Sequence, residues 1–579
     1  MVILFVTAAW IGLGVRLAFL HLGPNDMLRD RVERMWHTEK KILVGRGRIF
    51  DGNGNLLALD IATKDVIVDP KLILDAGQME AVGSVLSQIL GVNVNRVYDR
   101  INRPGRRFEY IKRYSHSDEF ERLEKMRLTG VRFDDSSARY YPQGNMACHV
   151  VGYSNLEGQG SAGVELICDK FLRGRSGLLV SQKDGRRVEL YDRRSIEVAP
   201  QEGCNIFLTI DMNIQYLVEE ALKSAVETNQ AAGAWAVVQE VRTGRILAMA
   251  SLPDYDLNSY RNARTASTLN RVIGYTYEPG STMKAIALSA ALNEGIVDEH
   301  EVIDCHWGNW YYCGRPLRDY HGYEKLTVAD VLKKSSNIGT AKIALRLGEK
   351  RLEEYFREFG IGRSTRVGLP GEESGIFSPR KQWDKLSITR FPIGHGVAVT
   401  AMQVVNMYSA IANNGDLMRP YIIDRIEDST GREILKRKPE VVSHPIREDT
   451  ARLMCRLLTR VTEDGGTARR ARVEGYSVAG KTGTAEKVID GRYSDKKNIA
   501  SFVGFLPSEN PEICILVVVD EPKRAHTGGA VAAPVFRVIS EQVVRCLHIP
   551  SLGRESSELV RPEVDTSFQS RHVVAYDSR

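Results

Sequence analysis

Three short segments combine serine and lysine in a spacing that suits acyl transfer. In chain order they are Ser281-Thr-Met-Lys284, Ser335-Ser-Asn337 and Lys481-Thr-Gly483, the last followed by Thr484. A serine hydroxyl becomes a good nucleophile only when a nearby base takes its proton. A lysine can be that base if burial or a neighbouring positive charge lowers its pKa. The set therefore predicts an enzyme that forms a covalent acyl-serine.

Each pattern alone is a weak signal, because the chain repeats two of them. Ser378-Pro-Arg-Lys381 and Ser494-Asp-Lys-Lys497 also fit the first pattern, and Ser508-Glu-Asn510 fits the second. Context favours Ser281, which follows the turn residues Glu278-Pro-Gly and precedes the apolar run AIALSAALNEG. A serine at the start of a helix and a lysine three residues later lie on one face, one turn apart.

The remaining residues of the first two segments are expected to move the proton. Lys284 is the predicted base, with the nearby Lys481 and partial burial lowering its pKa; the alternative is a solvated helix lysine. Ser335 could relay the proton to the leaving amine, and Asn337 could hold both the substrate amide and Lys284. The alternative for Ser335 and Asn337 is helix capping.

The third segment is expected to bind the substrate. Lys481, Thr482 and Thr484 would hold a terminal carboxylate, and Gly483 would let the substrate backbone approach its strand. The backbone N–H groups of Ser281 and Thr484 would form the oxyanion hole.

Composition excludes several other classes of protein. Of 579 residues, 43% are hydrophobic and 26% charged, which is ordinary for a folded protein. The net charge is only +6, with 79 basic residues scattered among 73 acidic ones, which argues against a nucleic-acid binder. The eight cysteines include no CxxC pair, so no metal site is predicted. Cys305 and Cys313 could form a local disulfide or remain free thiols.

The first segment, Val2 to Leu22, is apolar apart from Arg16 and His21. About 20 such residues span a bilayer. A cleaved signal peptide is the alternative, but no small-x-small site follows Leu22. Basic residues follow this segment rather than precede it. Because basic residues favour the cytoplasmic side of a membrane, their distribution alone would place the rest of the chain in the cytoplasm. The predicted chemistry belongs outside the plasma membrane, so we expect a single-pass anchor with the catalytic part in the periplasm.

The elements that must position the three segments follow from periodicity. Asp211 is placed to cap an amphipathic helix, and AWAVVQEV and RILAMAS flank a hairpin turn. YSVAGKTGTA, NIASFVGFLP and EICILVVVDE predict three more strands, with a mostly helical stretch from 281 to 458 between the two sets. Helices on the faces of such a sheet make an α/β sandwich. We therefore predict an anchor at 1–23, a non-catalytic α+β pedestal at 24–200, the catalytic domain at 203–550 and a polar tail at 551–579.

The whole chain resembles a class B penicillin-binding protein. Beyond the three segments, Arg46-Gly-Arg-Ile-Phe-Asp51, Arg139-Tyr-Tyr-Pro-Gln-Gly144 and Gly163-Val-Glu165 are similar to the family's pedestal motifs, with Gly52 where an arginine is usual. Arg46, Asp51, Arg139, Glu165 and His149 are interpreted as structural. The resemblance implies an antiparallel sheet between helical layers after an elongated pedestal. It also implies a peptidoglycan D,D-transpeptidase that needs no cofactor, acts on stem peptides and is acylated by β-lactams.

The motifs YEPGSTMK, FPIGHGVAVTAMQ, KTGTAEKV and HTGGAVAAPVF are most similar to the division-specific branch. That branch implies cross-linking of septal wall and a membrane polymerase of the SEDS family as partner. His395, within the GHG turn, is interpreted as structural rather than as a base. The alternatives are an elongation-specific transpeptidase, a β-lactamase, a β-lactam sensor and an inactive scaffold. The elongation-specific transpeptidase differs from this chain at the position of Glu278, before the nucleophile. A β-lactam sensor needs a cytoplasmic effector module. The intact catalytic motifs argue against an inactive scaffold.

Overall fold

A computed structural model describes residues 2–22, 37–42, 44–183, 189–489 and 492–551. In the N-terminal helix, Val2–Leu22, residues 2–21 are all exposed. It is the one described helix long and apolar enough to cross a membrane. The predicted polar tail lies outside the described residues from 552 onward.

The pedestal is a mixed α and β region, as predicted. Its strands are His37–Ile42, Ile49–Phe50, Leu56–Val68, Glu109–Ser115, Val131–Tyr140, Gly177–Lys183 and Glu189–Val198. Its helices are Pro70–Asp75, Met79–Leu90, Val94–Ile101, Ser117–Met126, Cys148–Val151, Gly163–Ile167 and Asp169–Leu172. A separate apolar cluster, including Val66, Ile73 and Leu86, holds the helices on the long strand.

One sheet joins the pedestal to the rest of the chain. Strand Asn205–Leu208, just after the predicted boundary at 203, pairs in parallel with Ile49–Phe50 of the pedestal. On its other side it pairs with Ile423–Glu427, more than 200 residues later. The pedestal is thus attached through main-chain hydrogen bonds rather than through a flexible linker.

The catalytic region is built on a five-stranded antiparallel sheet. In spatial order its strands are Ile246–Leu252, Gly233–Glu240, Ile513–Asp520, Arg492–Leu506 and Ala479–Ile489. The hairpin and the three later strands predicted from sequence are all present. Shorter strand pairs are Val302–Asp304 with Lys325–Thr327, Asn309–Tyr312 with Arg315–Arg318, and Leu417–Met418 with Val441–Ser443; Glu433–Lys436 extends the shared sheet.

Helices cover both faces of this sheet. The α-helices are Met212–Asn229, Arg271–Gly274, Lys284–Asn293, Val328–Lys334, Asn337–Leu347, Glu349–Glu358, Ser387–Arg390, Ala401–Ala412, Glu448–Thr459 and Gly528–Cys546. Short 3-10 helices are Leu257–Asn262, Thr265–Ser267, Gly280–Met283, His306–Gly308, Arg380–Gln382, Phe391–Ile393 and Arg469–Ala471. The predicted cap is present, because the Asp211 side chain accepts from the N–H groups of Asn213 and Ile214.

The apolar core lies on the two faces of the sheet. Within strand Gly233–Glu240, Trp235 and Val237 belong to one cluster, whereas Ala234, Ala236 and Val238 belong to the other. Successive side chains of a strand point to opposite faces, so a strand buried on both faces reads as a continuous apolar run. The predicted α/β sandwich, an antiparallel sheet between helical layers, is confirmed.

Candidate active site

Ser281 lies in a tight turn that enters a buried helix. The 3-10 turn Gly280–Met283 leads directly into Lys284–Asn293. Gly280 has φ +57°, and a Cβ there would lie 2.7 Å from the carbonyl oxygen of Thr484. Only glycine fits this close approach at positive φ. Ser281 is partly exposed whereas Lys284 is wholly buried, so solvent can reach the serine while the lysine lies in the interior.

The second segment lies at a junction between two helices. Ser335 has φ +60° and ends helix Val328–Lys334, and the Ser336 side chain accepts from Gly339 N–H to cap helix Asn337–Leu347. A left-handed serine is uncommon and is held here by its surroundings. Helix capping, the alternative role considered for Ser335 and Asn337, is therefore carried out by Ser336. The sharp turn at Ser335 places its hydroxyl in the site.

The three segments converge on one oxygen atom. Lys284 Nζ donates to Ser335 Oγ at 3.1 Å and to the main-chain carbonyl of the same residue. Lys481 Nζ, from strand Ala479–Ile489, donates to the same Oγ at 2.9 Å. The predicted assembly of Lys284, Ser335 and Lys481 is therefore present. The Lys284 main-chain N–H donates to the Ser281 carbonyl, and among the described residues no side-chain hydrogen bond joins Ser281 Oγ to Lys284 Nζ.

Burial sets the electrostatics of both lysines. It lowers the pKa of Lys284 to about 7, against the opposing negative charge of Asp319. Burial also lowers the pKa of Lys481 well below its ordinary value, with the charge of Lys284 adding to the effect. For Lys284 the main cause is thus desolvation, one of the two causes predicted from the sequence. A lysine with a pKa near 7 can act as a base at neutral pH.

The third segment lies on strand Ala479–Ile489, and its Thr484 backbone lies close to Gly280, next to Ser281. Thr482 is buried and its Oγ1 lies 3.1 Å from Thr467 Oγ1, while Thr484 is exposed and its Oγ1 accepts from Gly528 N–H at 3.1 Å. A Cβ on Gly483 would lie 2.3 Å from Ser501 Oγ, so no side chain fits there. Thr467 comes from a loop with no recognisable pattern, and sequence reasoning did not find it.

Asp319 is the second residue that sequence reasoning missed. Its carboxylate accepts from Ser336 Oγ at 2.6 Å and from the N–H groups of Asn337 and Ile338. It is the acidic group that opposes the pKa shift of Lys284. The Asn337 amide donates to the carbonyl of Arg318 at 2.8 Å. In the described structure Asn337 thus has partners other than Lys284, and its predicted contact with substrate remains a prediction.

Glu278, His395 and Tyr493 form a cluster beside the turn that carries Ser281. Glu278 Oε1 accepts from Gly396 N–H at 2.8 Å and from Tyr493 Oη at 3.2 Å, and burial raises the pKa of this carboxyl. The rings of His395 and Tyr493 lie 5.9 Å apart. Burial, with the positive charges of Arg390 and Lys284, lowers the pKa of His395 to about 4. A neutral histidine that packs on a tyrosine agrees with the structural interpretation.

The predicted polar network of the pedestal is also present. Glu165 is fully buried and accepts from Arg46 and from Arg139, each at 2.6 Å. Asp51 lies apart from it and accepts from Met212 N–H at 3.1 Å, so it is Asp51 that reaches the catalytic region. His149 contacts the Ser267 carbonyl at 2.7 Å, and burial lowers its pKa to about 4. These residues hold the chain together and lie outside the reacting site.

The described residues contain no group of three or more His, Cys, Asp or Glu side chains placed to hold a metal ion. Cys305 is a buried free thiol and Cys313 an exposed one.

Comparison with protein families matches two regions of the chain. Residues 234–541 match the penicillin binding protein transpeptidase domain, and residues 41–208 match the penicillin-binding protein dimerisation domain. The two matches fall on the catalytic region and the pedestal.

Individual relatives match almost the whole chain. The peptidoglycan D,D-transpeptidase FtsI of Escherichia coli is 34% identical over 92% of this chain and 89% of its own length. The probable peptidoglycan D,D-transpeptidase PenA of Neisseria meningitidis is 32% identical over 93% of this chain and 90% of its own. The crystal structure of penicillin binding protein 3 from Mycobacterium tuberculosis, complexed with aztreonam, superposes with a TM-score of 0.70 at 27% identity and covers 88% of this chain and 98% of that one.

Proposed function

Because this chain belongs to the class B penicillin-binding proteins and is a serine-type peptidoglycan D,D-transpeptidase, we propose that Ser281 is its acylated nucleophile and Lys284 its base. The observation that carries this assignment is the meeting of Lys284 and Lys481 on Ser335 Oγ, with Lys284 bonded through its main-chain N–H to the carbonyl of the partly exposed Ser281. No other SxxK of the sequence has a buried lysine in the described structure.

In the first step Ser281 Oγ attacks the carbonyl carbon of the penultimate D-alanine of a stem peptide. Neutral Lys284 takes the serine proton, and Ser335 passes a proton to the nitrogen of the departing D-alanine. Lys481, Thr482 and Thr484 bind the terminal carboxylate, and that negative charge favours the ammonium form of Lys481. The N–H groups of Ser281 and Thr484 hold the developing oxyanion, a role supported by the contact between Gly280 and the Thr484 backbone.

In the second step the amine of a neighbouring stem peptide attacks the acyl-serine. Its proton returns through Ser335 and Lys284 to Ser281, and the cross-link leaves. A β-lactam enters by the same first step, but its leaving nitrogen stays tethered, so the ester persists.

Labelling with a fluorescent penicillin tests the assignment. We expect the wild-type protein to give a stable covalent band and Ser281→Ala to give none. Ser378→Ala is the matched control, because Ser378 begins another SxxK, and it should label like the wild type. Labelling of Ser281→Ala would refute the assignment, and rapid release of the label would indicate a β-lactamase.

We further propose that the enzyme works on the septal wall beside a SEDS-family polymerase. The likeness to FtsI, and Glu278 ahead of the nucleophile, support this branch. Depleting the protein should produce filaments, and purification from membranes should recover the polymerase with it. Round cells instead of filaments would favour the elongation role.

The chain is anchored in a membrane by Val2–Leu22, and we propose that the body lies on the periplasmic side. A protease added to spheroplasts should then digest the catalytic domain, whereas in intact cells the domain should be protected. Protection in spheroplasts would place the body in the cytoplasm.

A further inference from the structure

An exposed aromatic rim borders the active site on the side of Ser335 and Asn337. It consists of Trp307 and Tyr320, with Tyr311 beyond them on a hairpin. Their exposed fractions are 67%, 88% and 69%, respectively. A group of large exposed rings in one region marks an interaction site more often than a feature of folding.

Main-chain hydrogen bonds tie this rim to the catalytic groups. Asp319 N–H donates to the Gly308 carbonyl at 3.1 Å. Trp307 directly precedes Gly308 in the chain, and Tyr320 directly follows Asp319, so each aromatic residue is next to one of the two bonded residues. The Asp319 carboxylate in turn accepts from Ser336 and from Asn337 N–H. The rim is therefore held at a fixed position beside the second catalytic segment.

Folding does not account for the exposed ring of Trp307. The hairpin Asn309–Tyr312 with Arg315–Arg318 is anchored by the paired residues Trp310 and Leu317, which pack on Ile338 and its neighbours. Trp307 contributes no such burial, and it has φ +52°, a conformation that a bulky side chain rarely adopts. A costly backbone that presents an exposed ring is expected where the ring has a binding role.

The charges around the rim fit an anionic polymer. Arg315, Arg318 and Lys325 are exposed there, against Asp304 and Glu324. The ammonium of Lys342 lies 5.6 Å from the Trp310 ring centre. Peptidoglycan combines sugar rings, whose C–H faces stack on aromatic rings, with carboxylates of the stem peptides.

We propose that Trp307 and Tyr320 bind the glycan strand that carries the stem peptide entering the active site. This inference rests on the proposed function. If Ser281 attacks the end of the stem peptide, the glycan strand that carries this peptide must extend away from Ser281. The strand runs over the rim, and its sugar faces stack on the two rings. Binding there raises the local concentration of stem peptides at the nucleophile.

The test separates polymer binding from acylation. Full-length Trp307→Ala and Tyr320→Ala are titrated with peptide-free glycan chains and, separately, with a stem pentapeptide that carries no sugar. We expect glycan binding to weaken roughly three- to tenfold for each variant, which is the size of one aromatic contact. Pentapeptide binding and the rate of penicillin labelling should stay at the wild-type level, which also shows that the variants are folded.

Tyr216→Ala is the matched control, because Tyr216 is an exposed tyrosine (51%) on helix Met212–Asn229, away from the rim. An equal loss in this control, or unchanged glycan binding in both rim variants, would overturn the proposal. Loss of pentapeptide binding alone would show that the rim binds the peptide and would overturn the proposal. Unchanged binding of both probes, together with loss of division in cells, would show that the rim binds a protein partner and would also overturn the proposal. Glycan binding by Ser281→Ala is measured too, so that failure of the acyl-enzyme assignment is seen separately.

Discussion

Lys284 and Lys481 donate to the same oxygen, Ser335 Oγ, from 3.1 and 2.9 Å. Both ammonium groups are wholly buried, and burial lowers the pKa of each. Two like charges that share one partner in a low-dielectric site cannot both be retained at low cost. The arrangement therefore favours one neutral lysine in the site, which is the state that the proposed proton abstraction requires.

The pH dependence of acylation should reflect Lys284. Its pKa is about 7, so the neutral form is lost as the pH falls below that value. We expect the second-order rate of penicillin labelling to fall about tenfold per pH unit below pH 7 and to level off above it. The rate is measured from pH 5.5 to 8.5, with Lys284→Arg as a variant that has no neutral form and should not label. A flat profile would exclude Lys284 as the base.

Ser335 and Ser336 are adjacent serines with separable effects. Ser335→Ala removes the oxygen shared by the two lysines, and we expect acylation to slow by roughly 100-fold or more. Ser336→Ala removes a helix cap and should cost about 1 kcal/mol of stability, with a smaller effect on labelling. Labelling rates and thermal unfolding of both variants are compared. Equal effects of the two substitutions on rate would contradict the relay role of Ser335.

The carboxyl of Glu278 should make stability depend on pH. Burial raises its pKa, so the folded state pays a cost for the charged form once the pH exceeds the ordinary value of 4.5. Glu278→Gln cannot ionise, and its melting temperature relative to the wild type should rise from pH 4.5 to pH 8. Tyr493→Phe removes one donor to the same carboxyl and should lower stability by about 1 kcal/mol. A difference that shrinks with increasing pH would contradict this account.

The buried ion pairs of the pedestal should matter far more than exposed ones. Glu165→Ala leaves Arg46 and Arg139 buried without their shared partner, and we expect a loss of about 3–5 kcal/mol. Arg173→Ala is the matched control: Arg173 lies 2.7 Å from Asp169 but is 49% exposed, and its loss should cost at most about 1 kcal/mol. Denaturant unfolding of the purified proteins measures both. Equal losses in the two variants would argue against a central role for Glu165.

The sequence by itself determined most of the architecture. The central strands, the Asp211 cap and the helical insertion were predicted because their signals are local, namely periodicity, caps and turns. The nucleophile was also chosen from local context, since Ser281 follows a turn and opens an apolar helix whereas Ser378 and Ser494 do not. The family motifs supplied the pedestal and its network around Glu165.

Only the tertiary structure decided how these parts meet. That Lys284 is buried enough to have a pKa near 7, and that Ser335 receives both lysines, depends on segments up to about 200 residues apart in the chain. Asp319, Thr467 and the contact of Glu278 with Tyr493 belong to no motif, so their roles could not be read locally. The strand pairing in the sheet that joins the pedestal to the catalytic region could not be predicted from local sequence either. Desolvation and long-range contacts are properties of the packed chain, whereas periodicity, caps and turns are written in neighbouring residues.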